Sequence, residues 1–168
     1  EGFEGPDAAH HGPDHHGRDG PLTVRPGQAT APLYDALVDA GEAAGFARTA
    51  DFNEPEREGF GRYHFTIRDG QRWTTAQAFL KPAMSRPNLT VRTGCQTTLI
   101  TMEQGRATGL RYWHRAQAHE VRATHDIVLS GGAINSPQLL MLSGIGPADH
   151  LGDVGVPVVH DLPGVGLN

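Results

Sequence analysis

The chain has 168 residues, a formal net charge of −5, 22 glycines and 12 prolines. That length suffices for one domain, and an acidic balance without runs of Lys or Arg excludes a nucleic-acid surface. Cys95 is the single cysteine, which excludes an intrachain disulfide and any Cys-x-x-Cys metal or redox motif and suits a reducing, cytoplasmic setting. No run approaches the ~18 consecutive apolar residues of a membrane-spanning helix.

Residues 1–21 read as a loop of Gly, Pro, Asp and His. His10, His11, His15 and His16 lie close enough in sequence to suggest a metal, but a structural site needs fixed ligand geometry. A Gly/Pro/Asp segment does not supply it, so a solvated loop and no metal are expected. The first residues lack the charged-then-apolar layout of a signal peptide, and there is no initiator Met. The other end, "DLPGVGLN", stops just after a Gly-x-Gly turn. Both ends read as cut, and an internal fragment of a longer protein is expected.

"PLTVR" (21–25) predicts a short strand. From Pro32 the pattern turns helical, with Leu33, Leu37, Val38, Ala40 and Ala44 at spacings of three and four and Gly45 as the stop. "YHFTIRDGQRW" (63–73) alternates around Asp69-Gly70, a strong hairpin signal. "TTAQAFLKPAM" predicts a short helix with Thr74 or Thr75 near its N-cap, interrupted by Pro82. "NLTVRTG" (88–94) predicts a strand. Residues 97–115 predict two strands around a turn at 103–105, and 119–132 another strand ending in Ile127-Val128-Leu129. A last short strand is expected at Val156-Pro-Val-Val159.

"SGGAINSPQLLMLSGIGP" (130–147) carries the most information. Ile127 to Leu129 has the apolar character of a strand covered on both faces. Gly131 and Gly132 permit a positive φ or close backbone approach to a ligand. Ser136 suits an N-cap and Pro137 the first helical position. Leu139, Leu140 and Leu142 form a packing face, and Gly144 suits the left-handed residue that ends a helix. Strand, glycine turn and helix together present free N–H groups to an anion. The same pattern also serves plain packing in many α/β connections. The dinucleotide fingerprint GxGxxG is absent from the chain, and so is the hydrolase elbow G-x-S-x-G.

Other candidates read as structural. Trp73, Tyr112 and Trp113 could stack on a ligand, but aromatics on alternating strands more often pair across strands. Cys95 has no evident cationic neighbour beyond Arg92 and reads as inert. Arg72 reads as an ordinary surface arginine.

"GAINSPQLLMLSGIG" (132–146) resembles the second signature of the glucose–methanol–choline (GMC) oxidoreductases, which are flavoenzymes. Gly132, Ala133, Ser136, Pro137, Ser143, Gly144, Ile145 and Gly146 fill its fixed positions. "GPLTVR", "EGFGRYHFTIRDGQRWTTAQAFLKPA", "RPNLTVRTG" and "DLPGVGLN" are similar to other stretches of choline- and alcohol-dehydrogenase-like members, and Arg72 falls where such members keep a basic residue. The resemblance spans 1–168 and implies a mixed α/β fold: part of an FAD-binding Rossmann-like domain with an inserted portion of the substrate domain, incomplete. On that basis 1–21 is a loop, 22–87 a cap or substrate-side portion, and 88–168 the strands and signature helix of the FAD domain.

The resemblance further implies FAD as cofactor and a small-molecule alcohol as substrate, of primary or choline type, oxidised to an aldehyde. The backbone of Thr97 is expected to contact the adenine end of FAD, and the Gly132-Ala133 turn to lie against the cofactor. The family's pyrophosphate fingerprint and its catalytic His with a His/Asn partner have no counterpart in this sequence, so none of the ten histidines receives a catalytic role. An alternative class is a non-catalytic flavin- or nucleotide-binding remnant, inactive and marginally stable as an isolated chain.

Overall fold

The computed structural model describes residues 17, 19–28, 31–53 and 57–167. The four histidines at 10–16 lie outside the described residues. The chain divides into two compact units, residues 1–91 and 92–168.

In the first unit, β1 (Arg25–Pro26) pairs antiparallel with β4 (His64–Phe65), and β2 (Arg48–Thr49) runs parallel to β3 (Phe60–Gly61). The strand expected over 21–25 is thus displaced: beyond a single bridge residue at Leu22, only Arg25 and Pro26 enter a ladder. Helix α1 (Pro32–Ala43) forms where predicted, with Pro32 in its first turn and Gly45 at φ +93 just past its end, but of the predicted apolar positions only Val38 is buried, while Leu33, Leu37, Ala40 and Ala44 are exposed. Its buried positions are Val38 and Gly41. Gly41 is there because Phe60 lies on it: an added Cβ would sit 2.3 Å from the ring.

β5 (Ile67–Arg68) and β6 (Gln71–Arg72) form the predicted hairpin, with Asp69 at φ +50 and Gly70 at φ +72. Two successive positive φ values match the twist of the flanking strands. The Trp73 indole N–H donates to the Pro21 carbonyl at 2.9 Å, and the Arg68 guanidinium lies 4.8 Å over its ring. Both are structural contacts, as expected of this tryptophan.

The helix after Thr74 is capped as predicted. The Gln77 side chain accepts the Thr74 backbone N–H at 2.9 Å, and the Thr74 hydroxyl accepts the Gln77 N–H at 3.4 Å, a reciprocal capping box. Pro82 does not interrupt it. Ala76–Leu80 widens to a π turn that runs into α2 (Lys81–Ala83), which gives the proline ring room where it would meet the carbonyl four residues back.

"NLTVRTG" is not a strand: residues 88–94 form no ladder, and Leu89 and Val91 are exposed. β-propensity alone does not make a strand without a partner edge to bond.

The second unit is built on an antiparallel meander of β7 (Gln96–Glu103), β8 (Arg106–His114) and β9 (Gln117–Arg122). Gln104 (φ +50) and Gly105 (φ +77) close the first turn where the sequence placed it. Gly109, buried in β8, marks a close approach: an added Cβ would lie 2.3 Å from the Val121 carbonyl. Helix α3 (Gly132–Leu142), β10 (Ile145–Gly146), α4 (Ala148–Asp153) and β11 (His160–Asp161) follow, with β10 and β11 parallel. Ile100, Tyr112, Ile145 and Leu151 are the buried hydrophobic residues of this unit among those described.

Two expectations shift here. The last strand begins at His160 rather than Val156; Pro157 has no N–H to give a ladder. Ile127 to Leu129 is not a strand among the described residues, and Val128 is 82% exposed. An apolar run suited to coverage on both faces has no neighbouring strand among the described residues to bond it.

Candidate functional site

The expected glycine turn and helix exist, with a different start and without the expected strand before them. Helix α3 opens at Gly132, not at Pro137; Gly131 is its N-cap and Pro137 lies inside it. Ser136 therefore does not cap from outside. Its hydroxyl reaches back from within the first turns and accepts the Gly131 N–H at 3.0 Å. Pro137 withholds the N–H that would have bonded the Ala133 carbonyl, which costs little because Ala133 is exposed.

Gly132 takes φ +93, and an added Cβ there would meet nothing within 4 Å. The turn thus faces open space. Helix α3 has no side-chain cap, so the first-turn N–H groups of Gly132, Ala133 and Ile134 point out of the helix end. Ile134 is 79% exposed.

A cleft of about 430 Å³ runs from this turn to the start of the meander. Thr97 and Gln96 on β7, Ser130 and Gly131 before the helix, and Asn135 and Gln138 on α3 contribute its polar lining. Leu110, Val128, Leu129 and Leu139 contribute apolar walls. Of the three residues expected to contact the cofactor, Thr97 lines this cleft, as do Gly131 and Ser136 of the predicted turn. Gly132 and Ala133 sit at its helical end, next to Gly131, exposed and outside the lining. Gln96 and Asn135 were not anticipated; a polar residue one position before Thr97 and another one turn into the helix were the available signals.

The helix is held to the sheet by one buried serine. The Ser143 hydroxyl donates to the Leu139 carbonyl at 2.7 Å and accepts the Ile100 N–H at 2.8 Å. At 4% exposure it ties α3 to β7, so the turn at one end of α3 is positioned by a hydrogen bond at the other. Gly144, at φ +79, ends the helix as expected, and its carbonyl accepts the N–H groups of Val159 and His160.

The remaining candidates take structural roles. Tyr112 is buried, stacks on His119 at 5.3 Å, and its hydroxyl accepts from Arg92 at 2.6 Å. Trp113 is half exposed and Arg72 lies exposed in β6. Cys95 has a neighbour the sequence did not reveal: its sulfur lies 3.6 Å from His114 Nδ1. No cluster of three or more metal-ligating side chains occurs among the described residues, nor is any described helix long and apolar enough to cross a membrane.

The fold superposes on part of two larger solved structures. Pyridoxine 4-oxidase from Mesorbium loti superposes with a TM-score of 0.79 at 39% identity, covering 88% of this chain and 29% of that one. An FAD-dependent oxidoreductase from Chaetomium thermophilum superposes with a TM-score of 0.75 at 25% identity, covering 89% and 26%. The sequence matches the GMC oxidoreductase family over residues 5–168, and the chain belongs to that family. It is 48% identical over 152 residues to the mitochondrial choline dehydrogenase of Homo sapiens, covering 90% of this chain and 26% of that protein. It is 46% identical to the oxygen-dependent choline dehydrogenase of Rhizobium etli, covering 90% and 28%. The chain thus spans little more than a quarter of the length of these relatives.

Proposed function

We propose that the protein containing this chain oxidises the CH–OH group of a small alcohol, of choline or primary-alcohol type, to the aldehyde with FAD as cofactor. The observation that carries this reading is the 48% and 46% identity to two choline dehydrogenases across 152 residues. FAD, when bound, supplies the hydride acceptor; the protein supplies binding, orientation and electrostatics.

The residues present fit that cofactor. The open space in front of Gly132 and the uncapped N–H groups behind it suit a turn with a ligand laid against it. In this reading the Gly132-Ala133 backbone passes beside FAD, and the Thr97 backbone meets its adenine end. A backbone contact asks nothing of the Thr97 side chain. Residues 88–168 then belong to the FAD-binding portion and 22–87 to the substrate-side portion. No histidine of this chain is assigned the alcohol proton. A cytoplasmic location is part of the proposal, with cell fractionation as its check, since the human relative is mitochondrial by name.

The test uses the protein translated from the complete reading frame. Under anaerobic conditions, choline or a primary aliphatic alcohol is expected to bleach the oxidised flavin spectrum. If neither class of alcohol reduces a bound flavin, the substrate reading is wrong.

A further inference from the structure

The cleft between β7 and α3 has two walls, Gln96 and Thr97 on the strand and Asn135, Gln138 and Leu139 on the helix. The Ser143 hydroxyl joins these elements. β7 is an edge strand of the meander, so its outward N–H groups have no ladder partner. The Ile100 N–H is one of them, and it donates to the Ser143 hydroxyl at 2.8 Å. The hydroxyl spends its own proton on the Leu139 carbonyl at 2.7 Å. Ile100 and Ser143 are both buried. Without the hydroxyl, the Ile100 N–H is left shut off from solvent and unsatisfied.

The tie stands close to the ligand space. Leu139 supplies both the accepting carbonyl and an apolar wall of the cleft. Thr97 precedes Ile100 on the same strand, and the Gly132-Ala133 turn opens the same helix. Beside the tie a second cavity of about 370 Å³ is lined by Ile100, Ser143 and Val159, among others. Packing around the hydroxyl is therefore open on that side, and α3 and β7 have room to shift once it is gone.

We propose that Ser143 is a positioning residue for the cofactor. Its hydroxyl sets the spacing of β7 and α3, and with it the distance from Thr97 to the Gly132-Ala133 turn. This rests on the FAD reading of the cleft. A ligand laid across both walls binds tightly only while that spacing holds, since a misfit on the order of 1 Å already loosens a preorganised site.

The test is fluorescence titration of FAD into the apoprotein made from the complete reading frame. Ser143→Ala is expected to weaken binding about fivefold or more. Ser143→Thr keeps the hydroxyl, with the neighbouring cavity to receive its methyl, and is expected to restore most of the affinity. Leu151→Ala, a buried change in α4 outside the cleft lining, controls for lost stability alone. It is expected to lower the melting temperature at least as far as Ser143→Ala and to leave FAD affinity unchanged. Where Ser143→Ala does not fold, Ser143→Cys takes its place, because a thiol of similar volume bonds only weakly. The proposal is overturned if the variant lacking the hydroxyl binds FAD as the unsubstituted protein does. It is also overturned if Leu151→Ala weakens binding as much, or if Ser143→Thr folds and binds no better than the variant lacking the hydroxyl. An unsubstituted protein that takes up no FAD overturns the cofactor reading itself, and this proposal with it.

Discussion

Replacing Gly144 by valine is expected to destabilise the second unit severely. The residue sits at φ +79, a conformation that costs a β-branched side chain on the order of 1–3 kcal/mol. Its added Cβ would also lie 2.4 Å from the Pro157 carbonyl and 2.8 Å from Val159 Cγ2. The first neighbour is backbone and cannot rotate away, so a further ~1–3 kcal/mol of overpacking is expected. Together, about 2–6 kcal/mol, they reach the lower end of the stability of a small domain, about 5–15 kcal/mol. The damage is local in cause. The Gly144 carbonyl bonds both Val159 and His160, so displacing it opens the parallel β10–β11 pair. Gly155→Val is the control: it has φ +75 but nothing within 4 Å of an added Cβ, and should show the backbone strain alone. Thermal denaturation with amide exchange at Val159 and His160 reads both. Equal losses in the two variants would mean that the close approach to Pro157 does not matter.

The second large effect concerns the cofactor. Gly132→Val is expected to weaken FAD binding at least tenfold, about 1.4 kcal/mol or more, while lowering stability only by the strain of its φ of +93. Within the chain an added Cβ at Gly132 meets nothing within 4 Å. Any loss of FAD beyond the strain therefore reports a ligand in that space. Gly105→Val in the β7–β8 turn carries comparable strain, φ +77 with open space around it, and should leave FAD affinity unchanged. Fluorescence titration of FAD into the three proteins separates the two effects. An unchanged affinity in Gly132→Val removes this turn from the cofactor site.

Local chemistry was legible in the sequence wherever turn and cap residues act alone. Asp69-Gly70, Gln104-Gly105, the Thr74 cap and the Gly45 and Gly144 helix ends all stand where their backbone preferences place them. What failed depended on partners. Residues 88–94 and 127–129 have strand-like side chains, but a strand is a ladder, and no edge among the described residues bonds them. The start of α3 was misplaced because Ser136 and Pro137 form a good helix-start pair, and only the structure shows Ser136 bonding backward to Gly131 from within the helix. The Asp51–His64 and Ser143–Ile100 contacts join residues 13 and 43 positions apart, and no periodicity announces them. The signature at 132–146 pointed to the right family because its glycines and serine have backbone tasks that few other residues perform.

The most direct test of the cofactor assignment is the flavin content of the protein from the complete reading frame after desalting. Stoichiometric FAD is expected, released on denaturation or retained covalently, with affinity reduced in Gly132→Val. A folded protein that carries no flavin and takes up none from added FAD would contradict it.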